Sequence, residues 1–148
     1  MGKACLFCRI ARGEVETHEI YRDDHILAFL DIGPIREGHV QIIPLAHHAT
    51  FDVLPAKLMN RITALGQRIA GVQKTLFGVT RVGFLFTGGD IAHAHAHLVP
   101  MHEKYDITSQ AYFEERNLTY RPVTHPGEDA LAQTAARLAA ALRDAQRV

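Results

Sequence analysis

Three histidines stand at alternate positions, His93, His95 and His97, with Ala94 and Ala96 between them and Leu98 and Val99 after. An imidazole can ligate a metal, carry a proton or attack a carbonyl or phosphorus centre, and near neutral pH much of it is unprotonated. In a strand alternate side chains share a face. The spacing therefore predicts three imidazoles in a row on one side, with Ala94, Ala96 and Leu98 on the other, packed against a helix. One reading of the row is a solvated or hydrogen-bonded ladder with no task. A second is a catalytic metal on three imidazoles. Tetrahedral ligands must converge on a point, however, and same-face strand positions lie along a line, so adjacent pairs converge better than all three. The third is nucleophilic catalysis, in which one neutral imidazole attacks while its neighbours orient it and donate to the developing charge.

The two cysteines, Cys5 and Cys8, are close together near the N-terminus, where a disulfide would close only a very small loop. Cys-x-x-Cys is the spacing of half a zinc site, and two imidazoles would supply the other half. A redox pair is a rival reading, but the βαβ pattern expected around one is absent. Two idle thiols are another.

Elements must position these groups. Glu19–Arg22 and Ile26–Asp31 read as a hairpin turned at Asp23 and Asp24, and Val40–Ile43 reads as a third strand halted by Pro44. After Pro55, apolar residues at Leu58, Ile62, Leu65, Ile69, Val72 and Leu76 alternate steps of four and three, which predicts a long helix leaving at Gly78. Two more strands are expected at Val82–Phe86 and His93–Val99, the second ended by Pro100. Residues 106–127 read as loop, and an Ala-rich helix is expected from Glu128 to Val148.

The chain has 148 residues, 47% hydrophobic and 22% charged, which suits one globular domain and excludes disordered, collagen-like and mucin-like classes. Sixteen basic residues balance sixteen acidic ones, so the charge footprint of a nucleic-acid-coating protein is missing. No run approaches the roughly 20 apolar residues that cross a bilayer, and no signal segment opens the chain. The expectation is a cytoplasmic protein with neither nucleic acid nor membrane as partner.

With its neighbouring segments, the triad resembles the histidine triad (HIT) superfamily. The likeness rests on His93–Val99 together with Cys5–Ile10, Ala28–Ile32, Gly38–Pro44 and His47, in the family's order and roughly its spacing, from about residue 4 to residue 102. The nearest branch is that of small nucleotide-binding hydrolases beginning with Cys-x-x-Cys. The resemblance implies an α+β fold, with a five-stranded antiparallel sheet, one long packed helix and pairing into a homodimer. The HIT domain would span residues 1–110, and 111–148 would form a C-terminal loop and helix extension.

The resemblance further implies that His95 attacks the α-phosphorus of a purine nucleotide conjugate and forms a nucleotidyl-histidine that water resolves. His97 would donate to a phosphate oxygen or the leaving group, with His93 and His47 supporting the row. Asp31 would accept hydrogen bonds from the ribose hydroxyls. Leu6, Phe7, Ile10, Phe29 and Ile32 would wall the base. By the same analogy Cys5, Cys8, His47 and His93 close a structural zinc, with His48 in reserve, and no organic cofactor is implied. Gly88-Gly89-Asp90 departs from the family's Gly-Gln-Ser or Gly-Gln-Thr turn and sets a carboxylate where phosphate is expected. The alternatives are a dinucleoside polyphosphate hydrolase or phosphorylase, and a non-catalytic nucleotide-binding or zinc-stabilised interaction protein. His18, His25, His39, His102 and His125 are assigned to surface or loop, without chemistry.

Overall fold

The computed structural model describes residues 5–103, 106–107 and 124–145. Its elements run α1 (Leu6–Ala11), β1 (Glu19–Arg22), β2 (Ile26–Leu30), β3 (Val40–Pro44), a 3-10 turn (Phe51–Val53), α2 (Ala56–Phe77), β4 (Arg81–Phe86), β5 (Ala96–Met101) and α3 (Glu128–Asp144). The five strands form one sheet in the order β1-β2-β3-β5-β4, every neighbouring pair antiparallel. The hairpin turns on Asp23, whose carboxylate accepts the N–H groups of His25 and Ile26.

One face of the sheet is structural. Ile26, Ala28 and Leu30 of β2, Val40 and Ile42 of β3, and Ala94, Ala96 and Leu98 bury against Ile62, Leu65, Ile69 and Val72 of α2. The expected reverse face of the histidine segment is thus in the core. Pro55 caps α2, and Gly78 ends it in the left-handed region at φ 62°. The terminal helix α3 joins the same core through Leu131, Ala135, Leu138 and Leu142. It stops at Asp144, and residues 108–123 of the expected loop lie outside the described residues.

The other face carries the chemistry. Over part of it α1 buries Phe7 and Ile10 against Leu27, Phe29 and Ile43. The sequence reading contained no helix here. A six-residue helix is marginal by itself, and burial of its two large side chains, about 1.5–3 kcal/mol each, supplies what local propensity does not.

Two strand boundaries also differ from expectation. β5 begins at Ala96 instead of His93, because the His93 N–H bonds Ile91 O and the Ala94 N–H bonds His48 O, leaving neither for the sheet. It then continues through Pro100 to Met101. A buried Gln73 on α2 ties the chemical strands together, its amide donating to the carbonyls of Gly38 and Leu98 at 2.8 and 3.2 Å. Gly38 allows this approach: its φ is 83°, and a Cβ there would collide with the Phe77 ring.

Candidate active site and metal centre

The three histidines do not form one row. His95 and His97 lie together, with ring centroids 4.9 Å apart, while His93 turns toward the cysteines. Phe7 stands edge-on to both groups, 5.1 Å from the His95 ring and 5.9 Å from that of His93. The division follows from the late start of β5, since strand alternation does not govern residues 93 to 95.

Hydrogen bonds fix where each ring proton sits. His95 Nδ1 lies 2.7 Å from His93 O, and a carbonyl only accepts, so Nδ1 carries the proton and Nε2 keeps its lone pair. His39 Nδ1 accepts the Ile35 N–H at 3.2 Å, which places the His39 proton on Nε2. That Nε2–H donates to His97 Nδ1 at 2.9 Å and leaves His97 with a donor at Nε2, directed at Thr87 Oγ1 3.4 Å away. A bare nucleophilic nitrogen therefore stands beside a fixed N–H donor.

His39 is a correction to the sequence reading. It is 3% exposed and holds His97, where the sequence analysis gave it no chemistry. Burial holds its pKa below the ordinary histidine value despite the opposing charge of Asp31. Burial, then the facing imidazoles of His39 and His95, pushes that of His97 down to about 4.

Asp31 sits at the end of β2, its carboxylate held by the Gly33 N–H at 2.8 Å and the Gln41 amide at 2.6 Å. It lines a cavity of about 410 Å³ with Phe7, Gly89, Asp90, His95 and His97. Of the expected base wall, only Phe7 lines this cavity. Ile10 and Phe29 are buried behind it, and Leu6 and Ile32 are 40% and 65% exposed. Gly88 lies in an adjoining pocket of about 190 Å³ that also reaches His95.

The second cluster is Cys5, Cys8, His47 and His93, whose ligand atoms all lie within 4.8 Å of one another. Zinc at ~2.3 Å from sulfur and ~2.0 Å from nitrogen sets tetrahedral S···N edges of ~3.5 Å. The contacts here are 3.6 Å for Cys5–His93, 3.5 Å for Cys8–His93 and 3.3 Å for Cys8–His47. His93 Nε2–H donates to Pro44 O at 2.9 Å, which frees Nδ1 as a ligand and fixes the ring. The donor set and its spacing fit zinc, and His48 is not among the four.

Comparison with known proteins agrees with this geometry. The HIT domain family model matches residues 12–104. The chain belongs to the HIT family. A HIT-like protein of Methanocaldococcus jannaschii is 34% identical over 109 residues, covering 67% of this chain and 80% of that one. The adenosine 5′-monophosphoramidase HNT1 of Saccharomyces cerevisiae is 29% identical over 102 residues, 68% of this HIT chain and 65% of its own. Among solved structures, a zinc-bound histidine triad protein from Mycobacterium smegmatis superposes with a TM-score of 0.74 at 25% identity, covering 97% and 96% of the two chains. The likeness supports an enzyme of the HIT hydrolase type.

Proposed function

We propose that this HIT protein hydrolyses purine nucleotide conjugates at the α-phosphate through a nucleotide bound covalently to His95. The observation that carries the reading is the 2.7 Å bond from His95 Nδ1–H to His93 O, which leaves Nε2 unprotonated beside the donor on His97. The phosphoramidase activity of the yeast relative supports it.

In the first step the Nε2 lone pair forms a bond to the α-phosphorus as the bond to the leaving group breaks. The departing atom accepts a hydrogen bond from His97 Nε2–H and takes a proton from solvent. The His95 ring becomes cationic, and its bond to the His93 carbonyl strengthens as that charge develops, which favours the transition state over the ground state. In the second step water attacks phosphorus and loses its proton to solvent, and the P–N bond breaks to restore the neutral imidazole.

Asp31 would take the ribose hydroxyls, since a carboxylate held by two donors still has acceptor sites to offer. Phe7 would face the nucleoside, and the N–H groups of the Gly88–Asp90 turn would face phosphate. Zinc on Cys5, Cys8, His47 and His93 would supply a fixed crosslink between α1 and the segment leading to His95. Its structural work is to hold the His93 carbonyl and Phe7 in place. We also read the chain as a homodimer. β4 is an edge strand, and Phe84 upon it is exposed, as are Phe51 and Val53 nearby.

The test is turnover of adenosine and guanosine 5′-phosphoramidates by the full chain and by His95→Ala. Release of nucleotide that the substitution abolishes supports the reading. Tight nucleotide binding with no turnover of either compound supports the non-catalytic alternative instead. Light scattering at micromolar concentration should give twice the chain mass.

A further inference from the structure

Cys5 and Cys8 face each other for a reason of helix geometry. Cys5 is the N-cap of α1, with extended backbone at φ −73° and ψ 115°, and Cys8 is the third residue of the helix. Side chains at these two positions reach toward one another, as in a capping box, yet the Cys5 side chain caps no backbone N–H. The two Sγ atoms lie within 4.8 Å of each other, and both cysteines are half-buried. Because Cys5 precedes the helix, its side chain can turn toward Cys8 without unwinding α1.

The catalytic side of the sheet hangs on these thiols. Phe7 lies between the two cysteines in sequence, lines the large cavity and stands edge-on to His95. His93 meets Cys5 and Cys8 Sγ through Nδ1, at 3.6 and 3.5 Å, while its own carbonyl accepts the His95 Nδ1–H at 2.7 Å. Under the proposed function, on which this inference rests for its effect on turnover, a change in the bonding of the cysteines reaches the nucleophile by two routes. One is the Phe7 ring and the other is the His93 carbonyl.

We propose that Cys5 and Cys8 are a redox-modification site, oxidised by hydrogen peroxide to a Cys5–Cys8 disulfide that releases the zinc and slows the reaction at His95. Held against a metal, both cysteines are thiolates, the nucleophilic form. One thiolate attacks the peroxide: an S–O bond forms, the O–O bond breaks, and hydroxide departs and becomes water with a proton from solvent. The other thiolate attacks the sulfenic sulfur, so that the S–S bond forms, the S–O bond breaks and a second hydroxide departs as water. The cysteine pair loses two electrons and the peroxide gains them. Disulfide sulfur carries no charge and is no longer the thiolate that binds metal, so His47 and His93 remain as the strong ligands of the four. The bridge closes a very small loop, contributes little stability and stays open to reduction by thiols, which makes the modification reversible.

The test exposes the full-length, zinc-bearing protein to a small molar excess of hydrogen peroxide. It follows zinc with a colorimetric chelator, peptide mass, and turnover of adenosine 5′-phosphoramidate. The expected result is release of the zinc, loss of two hydrogens confined to the peptide holding Cys5 and Cys8, and a fall in kcat/KM of about tenfold or more. A dithiol followed by zinc should reverse all three changes. In the double variant Cys5→Ser, Cys8→Ser, whatever turnover remains should be unmoved by peroxide, which separates the cysteines from oxidation of methionines. Cysteines that stay reduced, or that pass to sulfinic acid without bridging, overturn the site. A bridge formed with zinc retained, or with turnover unaltered, overturns it as well. Absence of turnover before treatment overturns the catalytic reading, and reversible bridging with zinc release then still upholds the modification site.

Discussion

His39 Nε2 donates to His97 Nδ1 across 2.9 Å, joining residues 58 positions apart through the pairing of β3 with β5. Because His39 Nδ1 is taken by the Ile35 N–H, this bond alone decides that His97 presents a proton, and not a lone pair, to the cavity. His39→Ala frees the His97 ring to turn and change tautomer. It should lower kcat by about 10- to 100-fold with KM little changed, as expected for a misplaced donor. Steady-state kinetics on one phosphoramidate checks this, and an unchanged kcat would show that His97 is held by other means.

Burial and the facing rings hold His97 at about 4, against an ordinary histidine value of 6.5. Between those two values the unfolded chain binds more protons than the native one, so stability rises with pH across that window. The contribution is fully present above 6.5 and is lost as pH falls toward 4. A histidine NMR titration should show the His97 ring inflecting near pH 4, and His97→Asn should flatten the stability profile between pH 6.5 and 4. An inflection near 6.5 contradicts the buried His39–His97 pair.

Much of the scaffold was legible in the sequence, and the reasons are local. β1 carries turn chemistry in Asp23 and Asp24 directly after it, and α2 shows its buried stripe as steps of four and three with Gly78 behind. The reverse face of Ala94, Ala96 and Leu98 follows from its small and apolar residues. That Cys5, Cys8, His47 and His93 come together was legible by family likeness, since nothing local links Cys5 to residues 47 and 93. What escaped notice depends on contacts distant in the chain. α1 is too short to show a period and has no side-chain cap. His93 was expected to share a row with His95 because alternation was assumed to begin there, whereas bonds to Ile91 and His48 delay the strand. His39 was missed as a polar residue heading an apolar run, within a segment already quoted for its resemblance. Its place directly before the apolar run Val40–Ile43, which forms a central strand of the sheet, was the signal to look for.

The Cys5, Cys8, His47 and His93 spacing predicts one tightly bound zinc per chain. Metal analysis should give that stoichiometry, and Cys8→Ser should reduce it. Without the crosslink, α1 is held by burial of Phe7 and Ile10, the packing of Ala11 and the bond from Arg22 to Ala11 O. A loss of ~2 kcal/mol would lower Tm by about 4–8 °C for a chain of this size. A variant lacking metal with an unaltered melting curve would show that the cluster does not anchor α1.

Asp31 is oriented by Gly33 and Gln41 for acceptance, not for proton transfer. Asp31→Asn should raise KM for a ribonucleotide conjugate by ~10-fold or more, the scale of a hydrogen bond to a charged group, and leave that of a 2′,3′-dideoxy conjugate nearly unchanged. Equal losses on both substrates would mean that Asp31 acts through His39 and the fold instead of on ribose.

The central claim is that His95 Nε2 bonds phosphorus. Rapid mixing of the protein with adenosine 5′-phosphoramidate, quenching in alkali to preserve the P–N bond, and peptide mass mapping tests it directly. The account predicts an adenylyl mass on His95, formed no slower than turnover and absent from His95→Ala. An adduct on another residue, or full turnover by His95→Ala, contradicts it.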